Sequence, residues 1–255
     1  MSSARPVTSM SSAKPVTLVL TRYALRACLP TKRRLGLLLP ALGAILFGLL
    51  AHLIRGPTRL HAFAEVSSSG LFGIVLPIGS MVIGDAVLGA EVRSGTMHFT
   101  WLSPVPRWKI VVGRWLAGTM VAGAALSLAC GLAAVVAGVP EVAPAMAWSA
   151  LAGTAAYVAV FVLVGAAARR AVVWSLAVVV LVERLLGAAL DGIAQLSPGW
   201  LARAAFGGLS GADELLRKGV PFGWAAVWRL ALITVVALAV ASWRLGSLRA
   251  AGHGE

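Results

Sequence analysis

Charge is scarce in this sequence. Only 12% of its 255 residues are Asp, Glu, Lys or Arg, and nine of those are acidic. A soluble domain of this length could not bury the 59% of residues that are hydrophobic, nor sustain a mean hydropathy of +0.89. The class left is an integral membrane protein. Cysteine is almost missing: Cys28, beside a basic cluster, and Cys130, in an apolar run, give neither a disulfide framework nor a metal site. The four histidines, His52, His61, His98 and His253, are scattered, with no pair at metal-ligand spacing. Catalytic signatures are absent as well. There is no GxSxG nucleophile turn, no HExxH helix, no glycine-rich dinucleotide fingerprint and no P-loop GxxxxGK[ST]. The chain is therefore expected not to be an enzyme, and to have no means of its own to bind and split a nucleotide. No group of Asp, His and Ser gathers near a span end, which argues against lipid-metabolising chemistry. Lysine is scarce beside Ala, Gly, Val and Arg, a balance that suggests a bacterial protein from a GC-rich genome.

What charge there is carries one sign: the formal net charge is +13. Cations collected beside apolar segments point to membrane topology rather than to nucleic acid. Residues 1–17 open with MSSARPVTS and then MSSAKPVT, a Ser/Pro-rich tandem nonamer with no apolar core. It is expected to be a disordered cytosolic tail, with Met10 as an alternative start. Arg22 and Arg26, four apart, share one face of an expected N-terminal interfacial helix over 18–29. Lys32-Arg33-Arg34 then lead into the first of about six spans, at 35–54. The others are expected at 69–90, 110–138, 147–167, 171–190 and 223–243. A PEVAP turn at 140–144 separates the third from the fourth, and residues 247–255 form a second cytosolic tail.

The basic residues orient this all-helical bundle, its permease domain covering 18–246, with both termini in the cytosol. Arg93, Arg107, Lys109, Arg114, Arg169, Arg170, Arg244 and Arg249 then fall inside, and Arg55, Arg59, Arg203, Arg217, Lys218 and Arg229 outside. Small residues within the spans, such as Gly79, Gly84, Gly113 and Gly123, allow close helix packing. The stretch 191–221 is too long for a turn and too polar for a span. It is expected to form a short outer-face helix or a re-entrant segment sheltered by protein. Asp85, Glu183 and Arg184 are the ionisable residues in or at the edge of apolar runs. Charges at such depth line pathways or lock helices together. Glu183 and Arg184 are candidates for either role, and Asp85 is expected to be solvated at the interface.

The longest polar interruption in the first half of the chain runs from Asp85 to Gly118. Within it, 91–109 reads as a short amphipathic element on the cytosolic face, a handle for an external energy source. Its order is Glu91, Gly95-Thr96, Leu102-Ser103-Pro104-Val105, Arg107-Trp108, Ile110-Val111 and Gly113-Arg114. This pattern resembles the cytosolic signature of type-2 ABC exporter permeases. Arg114 stands where Lys is commoner, and His98 where an acidic residue often follows Gly-Thr. The resemblance implies the transmembrane subunit of an ATP-driven exporter in the bacterial cytoplasmic membrane. It also implies a second permease copy or homologue, and a separate ATPase subunit that holds ATP and Mg. Glu91, Gly95, Thr96, Pro104, Arg107, Trp108, Gly113 and Arg114 would then couple ATP-driven closure to the second and third spans. Phe99, Trp101 and Trp108 would serve as apolar anchors. Rival readings are a proton-coupled secondary transporter using Glu183 or Asp85, and a membrane scaffold.

Overall fold

The computed structural model describes residues 31–54, 56–84, 106–168, 171–186, 190–211 and 221–251. All the regular structure among them is helical. Helix α1 is Thr31–Leu53, α2 Arg59–Gly84, α3 Arg107–Val136 and α4 Pro140–Ala167. Helix α5 occupies 171–186. The short α6, Asp191–Ala194, precedes α7, Pro198–Ser210, and α8 is Trp224–Ala251. Four of these, α2, α3, α4 and the Trp224–Leu245 part of α8, are long and apolar enough to cross a membrane.

The boundaries follow local chemistry. Helix α2 starts ten residues before the expected span because Thr58 caps it, accepting the His61 N–H at 3.0 Å. Pro106, with its φ fixed near the helical value, launches α3 at Arg107 rather than at 110. Pro140 starts the turn of 3₁₀ helix that carries α4 back beyond 147. Helix α7 has Ser197 as its cap and Pro198 in its first turn, and it stops at Gly211, whose φ of +71° suits glycine.

Close approaches give the directions. Gly48 meets Ala133 and His52 meets the Ala137 carbonyl, so α1 and α3 run parallel. Gly70 meets Phe47 and Gly43 meets Val75, which sets α2 against α1. Gly153 meets Leu76 and Gly84 meets Phe161, aligning α2 with α4. Gly131 meets Ala147, and the Trp115 indole N–H donates to the Ala155 carbonyl at 2.9 Å, so α3 opposes α4. The chain thus passes back and forth, with α4 in the middle packed against α2, α3, α5, α7 and α8. Its buried face is Ala150, Gly153, Thr154, Tyr157, Phe161 and Gly165, mostly small residues that admit neighbouring backbones.

Exposed apolar side chains belt the outside. Leu39, Leu46 and Leu53 project from α1, Leu128 from α3, and Leu232 and Val235 from α8. Trp224 and Trp243, both exposed, lie nineteen positions apart on α8. At 1.5 Å per residue that is about 29 Å, close to the ~30 Å of a hydrocarbon layer with indoles at its two edges. Trp148 on α4 joins the first belt, its ring 6.4 Å from that of Trp224.

Candidate functional site

Glu183 is the organising residue. It lies in a π-helical stretch of α5, Val178–Leu186, and is 7% exposed. Three donors converge on its carboxylate. The Tyr157 hydroxyl of α4 donates to Oε2. The Ser197 hydroxyl donates to Oε1 at 2.8 Å, and the Gly199 N–H reaches the same oxygen at 3.3 Å. A fourth bond runs from the Trp200 indole N–H to the Glu183 backbone carbonyl at 3.3 Å.

This local geometry is written into Ser197-Pro198-Gly199-Trp200. Ser197 is at once the cap of α7, accepting the Trp200 N–H at 3.3 Å, and a donor to the carboxylate. Gly199 leaves room: a Cβ there would stand 2.6 Å from the Tyr157 hydroxyl oxygen and 3.3 Å from Glu183 Oε2. The carboxylate therefore sits at the positive end of a helix dipole with real N–H and O–H partners, the arrangement that stabilises an anion away from water. Depth makes this necessary. Tyr157 lies nine positions beyond Trp148 on α4, about 14 Å along the axis, or roughly half the hydrocarbon thickness.

Helix α7 is the helix of the stretch 191–221, and it packs along α4. Gly199 meets Tyr157 and Gly153 meets Ala202, so α7 begins halfway along α4 and runs antiparallel to it. It ends beside the start of α8, where the Gly223 N–H donates to the Ala204 carbonyl at 3.1 Å. In the non-helical turn at 195–197, Ser197 is buried, Gln195 half-buried and Leu196 exposed.

Beside the carboxylate is an open cavity of about 150 Å³. One wall is a second π-helical stretch, Ser67–Val75 of α2, which contributes Ser68, Ser69, Phe72 and Gly73. The other wall is α7, with Trp200 and, one turn on, Arg203, whose guanidinium carbon stands 5.1 Å from the Trp200 ring centroid. The cavity thus combines one carboxylate and one guanidinium with serine hydroxyls and aromatic faces. Both of the helices that flank it, α2 and α5, abandon regular α-helical winding where they meet it, a habit of functional sites.

The sequence-derived candidates divide. Glu183 is in the site. Arg184 follows it in α5, its side chain outside the described residues. Of the coupling set, Arg107, Trp108, Gly113 and Arg114 belong to the first turns of α3. Trp108 is 54% exposed with Lys109 Nζ 5.5 Å over its ring, while Arg114 is 6% exposed in the part of α3 that packs on α4 and α8. Arg107, Trp108 and Lys109 were expected in a separate interfacial element and instead begin the long helix, because Pro106 starts it. Glu91, Gly95, Thr96 and Pro104, together with Asp85, His98 and residues 1–29, lie outside the described residues. Tyr157, Ser197, Gly199, Arg203 and the two serines of α2 were not picked out from sequence. A signal existed for two of them: Tyr157 is one of two tyrosines in the chain, and Ser197-Pro198 is a helix-start signature. No protein-family model matches the chain, and no curated protein is significantly similar to it.

Proposed function

We propose that this protein is the membrane-embedded permease subunit of an ATP-driven exporter, with a separate ATPase subunit as its motor. The reading rests on one observation: the strip Glu91–Arg114, which resembles the type-2 ABC permease signature, joins two span-length helices at the basic end of the bundle. That end gathers the start of α1, whose first turn holds Lys32-Arg33-Arg34, the end of α2, the start of α3, the end of α4, the start of α5, and the end of α8 with Arg244. By the distribution of cations this is the cytosolic face of a bacterial inner membrane, with both termini on it. Counting α1 and α5 with the four long helices gives six crossings, and a second permease copy or homologue completes the pathway.

Bonds inside the bundle support a transmission route. A displacement at Arg107–Lys109 moves α3, which holds α4 through Trp115 and Ala155. Two residues farther along α4, Tyr157 holds Glu183 and, through it, α7. ATP and Mg belong to the partner, and this chain supplies the handle and the moving helices. The rival reading of Glu183 as a mobile proton carrier is weaker, because its two oxygens are already engaged by three protein donors.

The test is efflux from inverted vesicles containing the chain and its ATPase. Glu91→Ala with Arg107→Ala should lower ATP-fuelled transport by about tenfold or more, the scale of losing one interface hot spot, with insertion unchanged. Undiminished transport, or labelling of a cysteine at position 107 from outside the cell, would overturn the proposal. So would transport that survives ATP depletion and collapses with the membrane potential.

A further inference from the structure

Helix α8 is the least covered of the four span-length helices: 33% of its apolar window is buried, against 61% for α2 and for α4. Its outer side is not uniform. Arg229 stands inside the span, five positions beyond Trp224, which puts it about 7.5 Å below that indole along the axis. The residue is exposed, and its Nη1 donates to the Gln195 carboxamide oxygen at 2.6 Å. Gln195 opens the non-helical turn in front of α7, where Leu196 is 70% exposed. Val236 and Val240 follow Arg229 by seven and eleven positions, and both are exposed, so they continue the same edge of α8 toward the other side of the membrane.

Helix α1 makes the contrast. Its exposed side is a run of leucines, among them Leu39, Leu42, Leu46 and Leu53, which hydrocarbon tails accept. A guanidinium, a carboxamide and a break in helical winding are not accepted in the same way. Charge at hydrocarbon depth faces protein or a cavity, and irregular backbone is tolerated there only where something other than lipid covers it. An arginine near a membrane edge can extend its stem toward the phosphates. Arg229 instead turns sideways, and its bond to Gln195 holds it at the level of the turn. Its cover is therefore a molecule that reaches into the hydrocarbon layer, which a cytosolic ATPase does not.

We infer that this edge of α8, with the 195–197 turn beside it, is the face on which a second copy of the chain docks. Two adjoining patches make the face fit its own copy. One is a guanidinium, which only donates. The other is a turn whose peptide carbonyls lie outside the long helices, and a carbonyl has two lone pairs, so one partner does not exhaust it. The patches touch within one chain, so they share one depth. Copies inserted in the same sense are related by a two-fold axis along the membrane normal, and that axis preserves depth. Each Arg229 then meets the turn of the other copy at its own level, the reciprocal contact of an isologous interface. Val236 and Val240 pack along the same seam. The inference rests on the permease reading for the existence of a second copy and adds the face that it uses.

The experiment uses the full chain in liposomes, without an ATPase. Single-cysteine variants are made in a background of Cys28→Ala and Cys130→Ala, and oxidation reads which faces meet. Leu196→Cys and Val236→Cys should link two chains, whereas Leu39→Cys on α1 and Leu128→Cys on α3 should not. Subunit counting across a lipid-dilution series reads affinity. Arg229→Leu should weaken association about threefold or more, the scale of a polar contact between membrane helices. Arg229→Gln should weaken it less, because its amide still donates. Links at 39 or 128 with none at 196 and 236 would overturn the assigned face and leave the permease reading standing. So would association that Arg229→Leu leaves unchanged. A chain that stays single, whether a label at 196 meets lipid, water or the chain's own loops, would overturn the inference, as would links at 196 only to a different protein. Efflux that runs without ATP from pairs linked at 236 would instead count against the permease reading alone.

Discussion

At the scale of single residues, the Tyr157–Glu183–Ser197 group sets the energetic stakes. Removing the tyrosine hydroxyl leaves a buried carboxylate oxygen one donor short. Tyr157→Phe is therefore expected to destabilise the fold by ~1–3 kcal/mol, read as a lowered midpoint in denaturant titration of the detergent-solubilised protein. The ring's stacking on Phe161, at 5.7 Å, should survive the change, so the loss belongs to the hydrogen bond. Gly199→Ala should cost more than Tyr157→Phe in the same titration, because its Cβ would fall 2.6 Å from the tyrosine oxygen. Glu183 could be picked out from the sequence alone, since a carboxylate in VLVERLLG has no bland surroundings. Its partners could not. Tyr157 sits 26 positions away in an unbroken apolar run, and only the packing of α4 on α5 brings it near. Arg203 read as a cation of the outer loop because periodicity does not show a helix folding back into the bundle.

At the scale of elements, α7 depends on its first turn. Ser197→Ala removes both the cap and a donor to Glu183. Amide hydrogen exchange across 198–204 should quicken by about tenfold, reflecting a cap and bond worth ~1–2 kcal/mol, while exchange in α8 stays as in the parent. Packing of α1 depends on Gly48, where a Cβ would stand 2.5 Å from the Ala133 carbonyl oxygen. Gly48→Leu should force α1 off α3 and lower the thermal midpoint by more than Leu46→Ala, which removes only an exposed side chain. The four span-length helices were legible because apolar length is a strong signal. Span ends were not. Thr58, Pro106 and Pro140 each moved a start toward the chain's beginning, since capping chemistry rather than hydropathy decides where a helix begins.

For the whole molecule, the tryptophan levels make a depth scale. Spin labels at positions 224, 235 and 243 of α8, all exposed, should report immersion that is greatest at 235 and shallow at the other two. Equal immersion along the helix would mean that α8 lies in the membrane plane instead of crossing it. The bundle's overall character followed from composition, because 59% apolar content leaves few alternatives. Its internal architecture did not, because α4 is apolar on every side and hydropathy cannot say which face meets α2 and which meets α7.

The π-helical winding of α5 has an outcome for chain length that its hydropathy conceals. Such winding accommodates a surplus residue, so shortening Val178-Val179-Val180 by one valine would let the helix relax to ordinary winding. Within the stretch Glu183 would move up by one position, a turn of about 100°. Glu183 would swing from its three donors toward lipid, though the segment would remain as greasy and as helical as before. A one-codon loss among three identical valines should thus disable the site more thoroughly than many substitutions at its walls.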